Sequence, residues 1–212
     1  MGFQVIDRSR WERESYFQHY YQEVPCSYSL TTVLDITRLR EGGARLYPAL
    51  LYLLTAQVNE QPQFRTAFNQ DGVLGIYDEM CPSYTVFHPE REDFSNLWTP
   101  WSPDYQTFLA AFQEDQARFG TVPGFSPKPE QPDNVFTVSM VPWISFESFH
   151  LNLPKENDYL LPIFTSGKIR WEGERQLLPL AVQVHHAVCD GYHVGRFLEG
   201  LQEKADAFPF CR

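Results

Sequence analysis

The segment His185–Gly191, of sequence HHAVCDG, places two imidazoles and a carboxylate close together. It follows the alternating apolar residues Leu180, Val182 and Val184, which predict a strand that is buried on one face. His186 shares their parity, so we expect its ring at the carboxyl end of a buried strand, with its neighbouring histidine pointing away. The carboxyl ends of strands are where α/β proteins tend to hold reactive groups.

Three roles fit the chemistry of His186. A histidine that is satisfied inside the core is inert. A metal-bound histidine would need Asp190 and His193 as further ligands, and no other ligating side chains cluster nearby, which makes this the least favoured role. A general base needs a fixed tautomer and a dry, shaped pocket, and the end of a buried strand supplies both. The residues alone leave the inert and the basic roles open.

Asp190 also has two possible roles. Its spacing from His186 fits a catalytic triad in which the carboxylate orients the imidazole. It also stands where a helix N-cap belongs, before apolar residues at helical spacing over 194–201. In that position it is free to pair with Arg13 and to act as scaffolding for the turn that carries His186.

Arg13 needs an N-terminal helix to bring it to the interior. Ser9 and Glu12 have the spacing of a capping box, which predicts a helix that ends before Pro25. Arg13 lies on the same helical face as Phe17, so its guanidinium is aimed at the interior unless it reaches solvent. A buried arginine needs an acidic partner, whereas the simpler alternative is a solvated charge.

The remaining patterns predict strands that alternate with helices. The predicted strands cover 26–36, 73–77, 84–88, 134–141, 159–170 and 177–186. We expect 73–77 and 84–88 to form a hairpin, and 159–170 to pair with 177–186. The further helices cover 46–58, 103–119 behind an N-cap at Ser102, and the segment after Asp190. A proline-rich stretch over 122–132 is typical of a surface loop. We therefore expect an α/β layered sheet in a single domain over residues 1–212.

Composition excludes several functions. Lys and Arg number 17 against 27 Asp and Glu, for a net charge of −10, which argues against nucleic-acid binding. The four cysteines form no CxxC pair, so neither a zinc site nor a disulfide framework is expected. The sequence shows no secretory signal and no apolar run of the roughly 20 residues that a membrane span requires. We expect a cytoplasmic protein with no nucleic-acid or membrane partner.

The stretch 179–196, PLAVQVHHAVCDGYHVGR, closely resembles the signature of the type A chloramphenicol acetyltransferases. These enzymes belong to a wider group of coenzyme A-dependent acyltransferases that share HHxxxDG, which also includes carnitine, dihydrolipoyl and peptide-condensing acyltransferases. Further blocks that resemble the family occur in family order at 11–17, 34–37, 47–49, 84–88, 94–95, 142–143 and 146–152. The resemblance therefore covers nearly the whole chain. It implies the coenzyme A-dependent acyltransferase fold, a two-layer α/β sandwich in which helices cover a mixed β-sheet.

The resemblance implies acetyl transfer from acetyl-CoA to the 3-hydroxyl of chloramphenicol, which inactivates the antibiotic. His186 would be the general base, and the hydroxyl oxygen would attack the thioester directly. Ser148 would hydrogen-bond the oxyanion, a contact commonly worth about 3 kcal/mol. Asp190 and Arg13 would form the buried salt bridge that supports the site. Acetyl-CoA would be a co-substrate, with no permanently bound cofactor and no metal.

The resemblance also implies where the substrates bind. Four residues match positions of the substrate pocket: Tyr20, Tyr28, Phe94 and Thr165. The position that Thr165 matches is linked in the family to the tetrahedral intermediate through bound water. Lys168 matches the family lysine near the coenzyme, where a cation offsets the acidity of the chain. The family is trimeric with sites at subunit interfaces, which implies a homotrimer.

Some residues depart from the family pattern and bear on the acceptor. Leu160 and Leu161 stand where an aromatic and a small residue are usual, and the loop over 122–132 is unusually rich in proline. Both changes are expected to affect the acceptor pocket. The alternative functions are an acyltransferase of the same fold that uses another small alcohol, and a catalytically silent ligand-binding or scaffold relative.

Overall fold

A computed structural model describes residues 2–153 and 159–208. The strands are β1 Phe3–Val5, β2 Ser27–Asp35, β3 Thr66–Phe68, β4 Leu74–Tyr77, β5 Cys81–His88, β6 Asp93–Trp98, β7 Val135–Met140, β8 Ile163–Ser166, β9 Arg170–Glu172 and β10 Arg175–His185. The α-helices are α1 Glu14–Phe17, α2 Thr37–Glu41, α3 Leu46–Glu60, α4 Tyr105–Phe119 and α5 Gly191–Asp206. A π-helix, Gln18–Glu23, continues α1, and a 3₁₀ turn, Pro62–Phe64, follows α3.

The large sheet has the strand order β2-β10-β8-β7-β5-β6, with β9 paired to β10. The β5–β7 and β7–β8 pairs are parallel, and the other pairs are antiparallel. A second sheet of three strands has the order β1-β4-β3. This arrangement confirms the predicted α/β class with a mixed sheet.

Strand β10 lies inside the large sheet and is buried over most of its length. Its even-numbered residues from Leu178 to Val184 belong to the main hydrophobic core, since alternate residues of a strand share one face. The register with β2 places Val184 opposite Tyr28 and His185 opposite Ser27. The pairing of β8 with β10 confirms the predicted contact between these two parts of the chain.

The longer helices pack on this apolar face. Helix α3 is buried along most of its length, so it matches the buried helix predicted over 46–58. Helix α5 presents Val194, Phe197 and Leu201 to the core, as their spacing predicts. Phe197 stacks on Phe64 and on Phe164, with ring centroids 4.5 and 5.2 Å apart. These aromatic contacts fix the helix that follows the histidine segment.

Three local predictions were wrong. The first helix begins at Glu14, because the Ser9 side chain bonds to Asp7 and does not cap a helix. Strands β4 and β5 do not form a hairpin, because β4 pairs with β1 and β3 while β5 joins the large sheet. Helix α4 is capped by Asp104 instead of Ser102, since the Asp104 carboxylate accepts the Thr107 amide at 2.8 Å.

Residues 121–134 hold no helix or strand along their length, in agreement with the predicted surface loop. Among the helices of residues 2–153 and 159–208, none has the length and apolar content that crossing a bilayer requires.

Candidate active site

A sharp turn after β10 carries the histidine segment. Strand β10 ends at His185, and Asp190 is the N-cap residue of α5, as its position in the sequence predicts. The Asp190 amide donates to Nδ1 of His193 at 2.9 Å, which ties the turn to the first turn of the helix. The His186 amide donates to the Cys26 carbonyl at 2.9 Å, so the main chain at His186 is anchored to the segment that precedes β2.

The Arg13 guanidinium donates four hydrogen bonds to this turn. Two go to the Asp190 carboxylate, each at 2.6 Å, and two go to the carbonyls of His186 and Ala187, each at 2.8 Å. The side chain of Arg13 is only 15% exposed. Because the guanidinium is a planar fork of donors, it fixes the carboxylate and the two carbonyls relative to one another.

The imidazole of His186 is held between aromatic rings. It stacks on Tyr20 with a centroid distance of 3.9 Å and an interplanar angle of 10°, and it meets the edge of Tyr28 at 5.2 Å. The Tyr28 hydroxyl donates to the Cys189 carbonyl at 3.2 Å, so this ring is fixed to the same turn. The His186 side chain remains 28% exposed, which leaves part of the ring open to a substrate.

The Nδ1 atom of His186 faces the carboxylate of the turn. It lies 3.1 Å from Oδ1 of Asp190, but it is buried and has no partner in hydrogen-bonding geometry among the described residues. Both Asp190 oxygens already accept short hydrogen bonds from Arg13. The carboxylate is therefore oriented by the guanidinium first and by the imidazole second.

The charges around the turn follow from these contacts. The hydrogen bonds from Arg13 hold the pKa of Asp190 below its usual range, so the carboxylate is ionised near neutral pH. Burial lowers the pKa of His193. Burial also raises the pKa of Tyr28, so its phenol stays protonated. The turn thus combines one fixed ion pair with neutral side chains.

His185 lies in a different environment from His186. It is 5% exposed, and its Nδ1 accepts the Ala187 amide at 3.2 Å. Burial lowers its pKa, and the adjacent His186 lowers it further. A buried imidazole whose Nδ1 accepts a hydrogen bond is neutral and fixed in one tautomer. His185 therefore shapes the turn.

Ser148 lies on an exposed segment that crosses the sheet near β2. The next residue, Phe149, donates its amide to the Thr31 hydroxyl at 3.2 Å. Ser148 lines a cavity of about 360 Å³ together with Cys26, Tyr28, Ser29, Gln183 and His185. Among the described residues that line this cavity, His186 is absent. Within one chain, the predicted base therefore does not line the cavity of the predicted oxyanion donor, although Tyr28, which packs against His186, does line it.

A row of small side chains crosses the large sheet, and it includes Ser139, which the sequence interpretation did not single out. Thr165 on β8 stands opposite Ser139 on β7 and opposite Ala181 on β10, which in turn stands opposite Thr31. The hydroxyls of Ser139 and Thr165 are 2.9 Å apart. Thr165 is 2% exposed and Ser139 is partly buried, so this hydroxyl pair is largely covered by the surrounding chain. Two features of the sequence could have pointed to Ser139. It lies in the predicted strand over 134–141, and it shortly precedes the block at 142–143 that resembles the family.

The other predicted binding residues lie apart from His186. Phe94 is 51% exposed on β6, at the edge of the sheet opposite to β2, where it packs at 6.0 Å against Phe125. Lys168 is exposed just after β8, and its amide donates to the Ile144 carbonyl at 2.8 Å. One chain brings together Arg13, Tyr20, Tyr28, His186 and Asp190. Thr165, Lys168 and Phe94 lie outside this cluster, and Ser148 is connected to it through the cavity that it lines together with Tyr28.

Leu160 and Leu161 are buried, at 2% and 7% exposure. They line a cavity of about 350 Å³ with Phe68, Tyr77 and other residues between the two sheets. This cavity is separate from the one that Ser148 lines. No group of three or more His, Cys, Asp or Glu within 2–153 and 159–208 is arranged to hold a metal ion.

Known proteins resemble the chain over nearly its full length. A sequence model of the family described as chloramphenicol acetyltransferase matches residues 1–202. A chloramphenicol acetyltransferase of Clostridioides difficile is 53% identical over 211 residues, covering 100% of both chains. One from Clostridium perfringens is 53% identical over 203 residues, covering 96% of this chain and 98% of its own.

Solved structures share the fold. A chloramphenicol acetyltransferase superposes with a TM-score of 0.80 at 22% identity, covering 95% of this chain and 99% of its own. A dihydrolipoamide acetyltransferase of Azotobacter vinelandii superposes with a TM-score of 0.61 at 17% identity, covering 91% and 86%. The match of the family model and the identity to full-length relatives establish that the chain belongs to the chloramphenicol acetyltransferase family.

Proposed function

We propose that this protein transfers the acetyl group of acetyl-CoA to the 3-hydroxyl of chloramphenicol and so confers resistance to the antibiotic. Membership of the chloramphenicol acetyltransferase family supports this activity. The observation that carries the proposal is the fixed, partly open imidazole of His186, which stacks on Tyr20 while Arg13 holds its carbonyl. Because acetyl-CoA is a cytoplasmic metabolite, we place the reaction in the cytoplasm.

His186 acts as the general base through Nε2. Its Nδ1 is buried beside the Asp190 carboxylate, so Nε2 is the nitrogen that remains for the substrate. The tautomer with its proton on Nδ1 leaves a free lone pair on Nε2. Nε2 takes the proton of the 3-hydroxyl as that oxygen attacks the thioester carbonyl. The tetrahedral intermediate then collapses, the C–S bond breaks, and the imidazolium returns the proton to the coenzyme A sulfur. No acyl-enzyme forms.

The oxyanion of the tetrahedral intermediate needs a hydroxyl donor. The family resemblance assigns that contact to Ser148, which is exposed on its segment. The geometry favours Ser139 over Ser148 for this contact, because its hydroxyl lies 2.9 Å from that of Thr165, the residue that the resemblance links to the intermediate. A hydroxyl held in place before the reaction stabilises developing charge better than a mobile one.

Arg13 and Asp190 support the site as scaffolding. The Arg13 guanidinium of this ion pair also donates to two carbonyls of the turn, so it fixes the main chain of His186 directly. Tyr20 and Tyr28 contribute aromatic surface to the acceptor beside that imidazole. Lys168 is exposed and offers a cation to the coenzyme phosphates in a chain whose net charge is −10.

The sheet order supports a homotrimer with shared sites. Phe94 on β6 and Tyr28 on β2 stand at opposite edges of the large sheet. Five strand spacings separate these edges, which is about 24 Å. One chain therefore cannot bring both rings to one small antibiotic. A neighbouring copy that sets its β6 edge near the β2 edge of the first would complete the pocket, which supports a trimer with sites at its subunit interfaces.

Release of the coenzyme thiol from acetyl-CoA, measured with and without chloramphenicol, tests the proposal. The parent should release thiol only with the antibiotic, and His186→Ala should lose at least about a hundredfold in kcat with an unchanged circular dichroism spectrum. A folded parent that ignores chloramphenicol but acetylates another small alcohol would establish the alternative acyltransferase. A folded parent without turnover on any acceptor would establish the catalytically silent relative.

A further inference from the structure

The proline-rich segment over 122–132 is bound to β6 by hydrogen bonds, although it contains no helix or strand of its own. The Ser95 hydroxyl donates to the Gly124 carbonyl at 2.7 Å, and the Asn96 amide donates to the Phe125 carbonyl at 2.6 Å. These bonds place the Phe125 ring against Phe94 at 6.0 Å and 73°, an edge-to-face contact. The segment therefore extends the aromatic surface around Phe94.

A buried lysine anchors the same segment a few residues later. The Lys128 ammonium donates to Asp115 at 2.6 Å and to the Trp98 carbonyl at 2.9 Å. It also lies 3.8 Å from the centroid of the Trp98 ring, in cation–π contact. The side chains of Lys128 and Asp115 are only 12% and 9% exposed. The ammonium thus joins the segment to both α4 and β6.

The acidic partner is itself held in place. The second oxygen of Asp115 accepts the Thr99 hydroxyl at 2.8 Å, and the Tyr84 hydroxyl contacts Thr99 at 2.8 Å. A buried ion pair adds little net stability compared with an apolar pair, because both charges lose their hydration. Its geometry, however, selects one arrangement of the chain that carries it. Pro127 and Pro129 flank Lys128 and restrict its backbone, so the anchor reaches Phe125 through a stiff connection.

We propose that Lys128 is a positioning residue for the acceptor pocket, where it holds Phe125 against Phe94 to form one apolar wall. This inference rests on the proposed function, because it takes Phe94 as a contact of the antibiotic. The wall would bind the aromatic ring of the acceptor and would not contact acetyl-CoA. Loss of the Lys128 anchor should therefore weaken the binding of the acceptor without weakening the binding of acetyl-CoA.

The experiment measures KM for both substrates in Lys128→Met, which keeps most of the length of the side chain and removes its charge. KM for chloramphenicol should rise about tenfold, while kcat and KM for acetyl-CoA stay within about twofold. The matched control is Lys204→Met, since Lys204 on α5 also forms an ion pair, with Glu60 of α3 at 2.8 Å, but does not anchor this segment. The control should leave all three constants unchanged.

A second variant separates positioning from folding, because Lys128→Met leaves Asp115 buried without its partner. The double substitution Lys128→Met with Asp115→Asn removes both charges and should restore the thermal unfolding midpoint without restoring KM for chloramphenicol. A KM for chloramphenicol that stays at the parent value in either folded variant overturns the inference, as does an equal rise in both KM values. An inactive parent would instead overturn the proposed function.

Discussion

The substitution Asp190→Asn separates the scaffold from the triad. The amide in this variant would keep one acceptor oxygen for Arg13, but it would turn an N–H donor toward the guanidinium and would carry no charge. Of the four hydrogen bonds that Arg13 makes to the turn, two go to this carboxylate. A charged hydrogen bond is worth about 1.5–3 kcal/mol, and breaking a fully buried ion pair costs about 3–5 kcal/mol. Because Asp190 is 33% exposed, we expect about 2–3 kcal/mol of lost stability.

The assay pairs urea unfolding with steady-state kinetics. The free energy of unfolding should fall by about 2–3 kcal/mol. The kcat should fall by about tenfold, because Arg13 without its charged partner holds the carbonyl of His186 less firmly and the base is less well positioned. Glu114→Gln is the matched control, since it breaks an exposed pair with Arg118 and should change stability by less than about 1 kcal/mol.

The pH dependence of stability gives an independent check. The pKa of Asp190 is lowered in the folded state by Arg13, so the ion pair stabilises the fold above the unfolded pKa of about 3.9. This contribution to the free energy of unfolding should be lost as pH falls below about 4 toward the lower folded pKa. The stability of Asp190→Asn should therefore fall less steeply than that of the parent over this pH range. A variant that loses kcat while its free energy of unfolding is unchanged would refute the scaffold role and support the triad.

Two further predictions concern the oxyanion contact and the assembly. In the thiol-release assay, Ser139→Ala should lower kcat by about 10²-fold with little change in either KM, whereas the kcat of Ser148→Ala should stay within about threefold of the parent. A larger loss of kcat in Ser148→Ala would assign the oxyanion contact to Ser148. The protein should sediment as a particle of three 24.7 kDa chains, and a fully active monomer in the ultracentrifuge would contradict the shared pocket.

The periodicity of apolar residues predicted the strands and helices that bury one face. The even residues from Leu178 to Val184 alternate strictly, so they predict the buried strand β10. Helix caps were less predictable, because several polar residues compete for each cap. Ser9 had the right spacing, but its hydroxyl bonds Asp7 and the helix begins at Glu14. Adjacency in the sequence predicted the pairing of β8 with β10, but it failed for β4 and β5, which entered different sheets.

The sequence by itself determined the chemistry that is available here. Residue types and spacing place the histidine segment at the end of an apolar strand, and they show that Arg13 needs an acidic partner. The residues left both a triad and a pair with Arg13 open for Asp190, and the family resemblance favoured the pair. Neither showed that Arg13 also reaches two carbonyls. Those contacts join residues more than 170 positions apart, and only the folded chain sets such distances.

Only the tertiary structure decided which side chains meet. Ser139 and Thr165 are neighbours because β7 and β8 pair in one register, and a shift by one residue would turn their hydroxyls to opposite faces. Phe94 and Tyr28 lie at opposite edges because of the strand order, although both resemble residues of one pocket. Sequence spacing specifies faces of single elements, whereas strand order and register specify which faces come together.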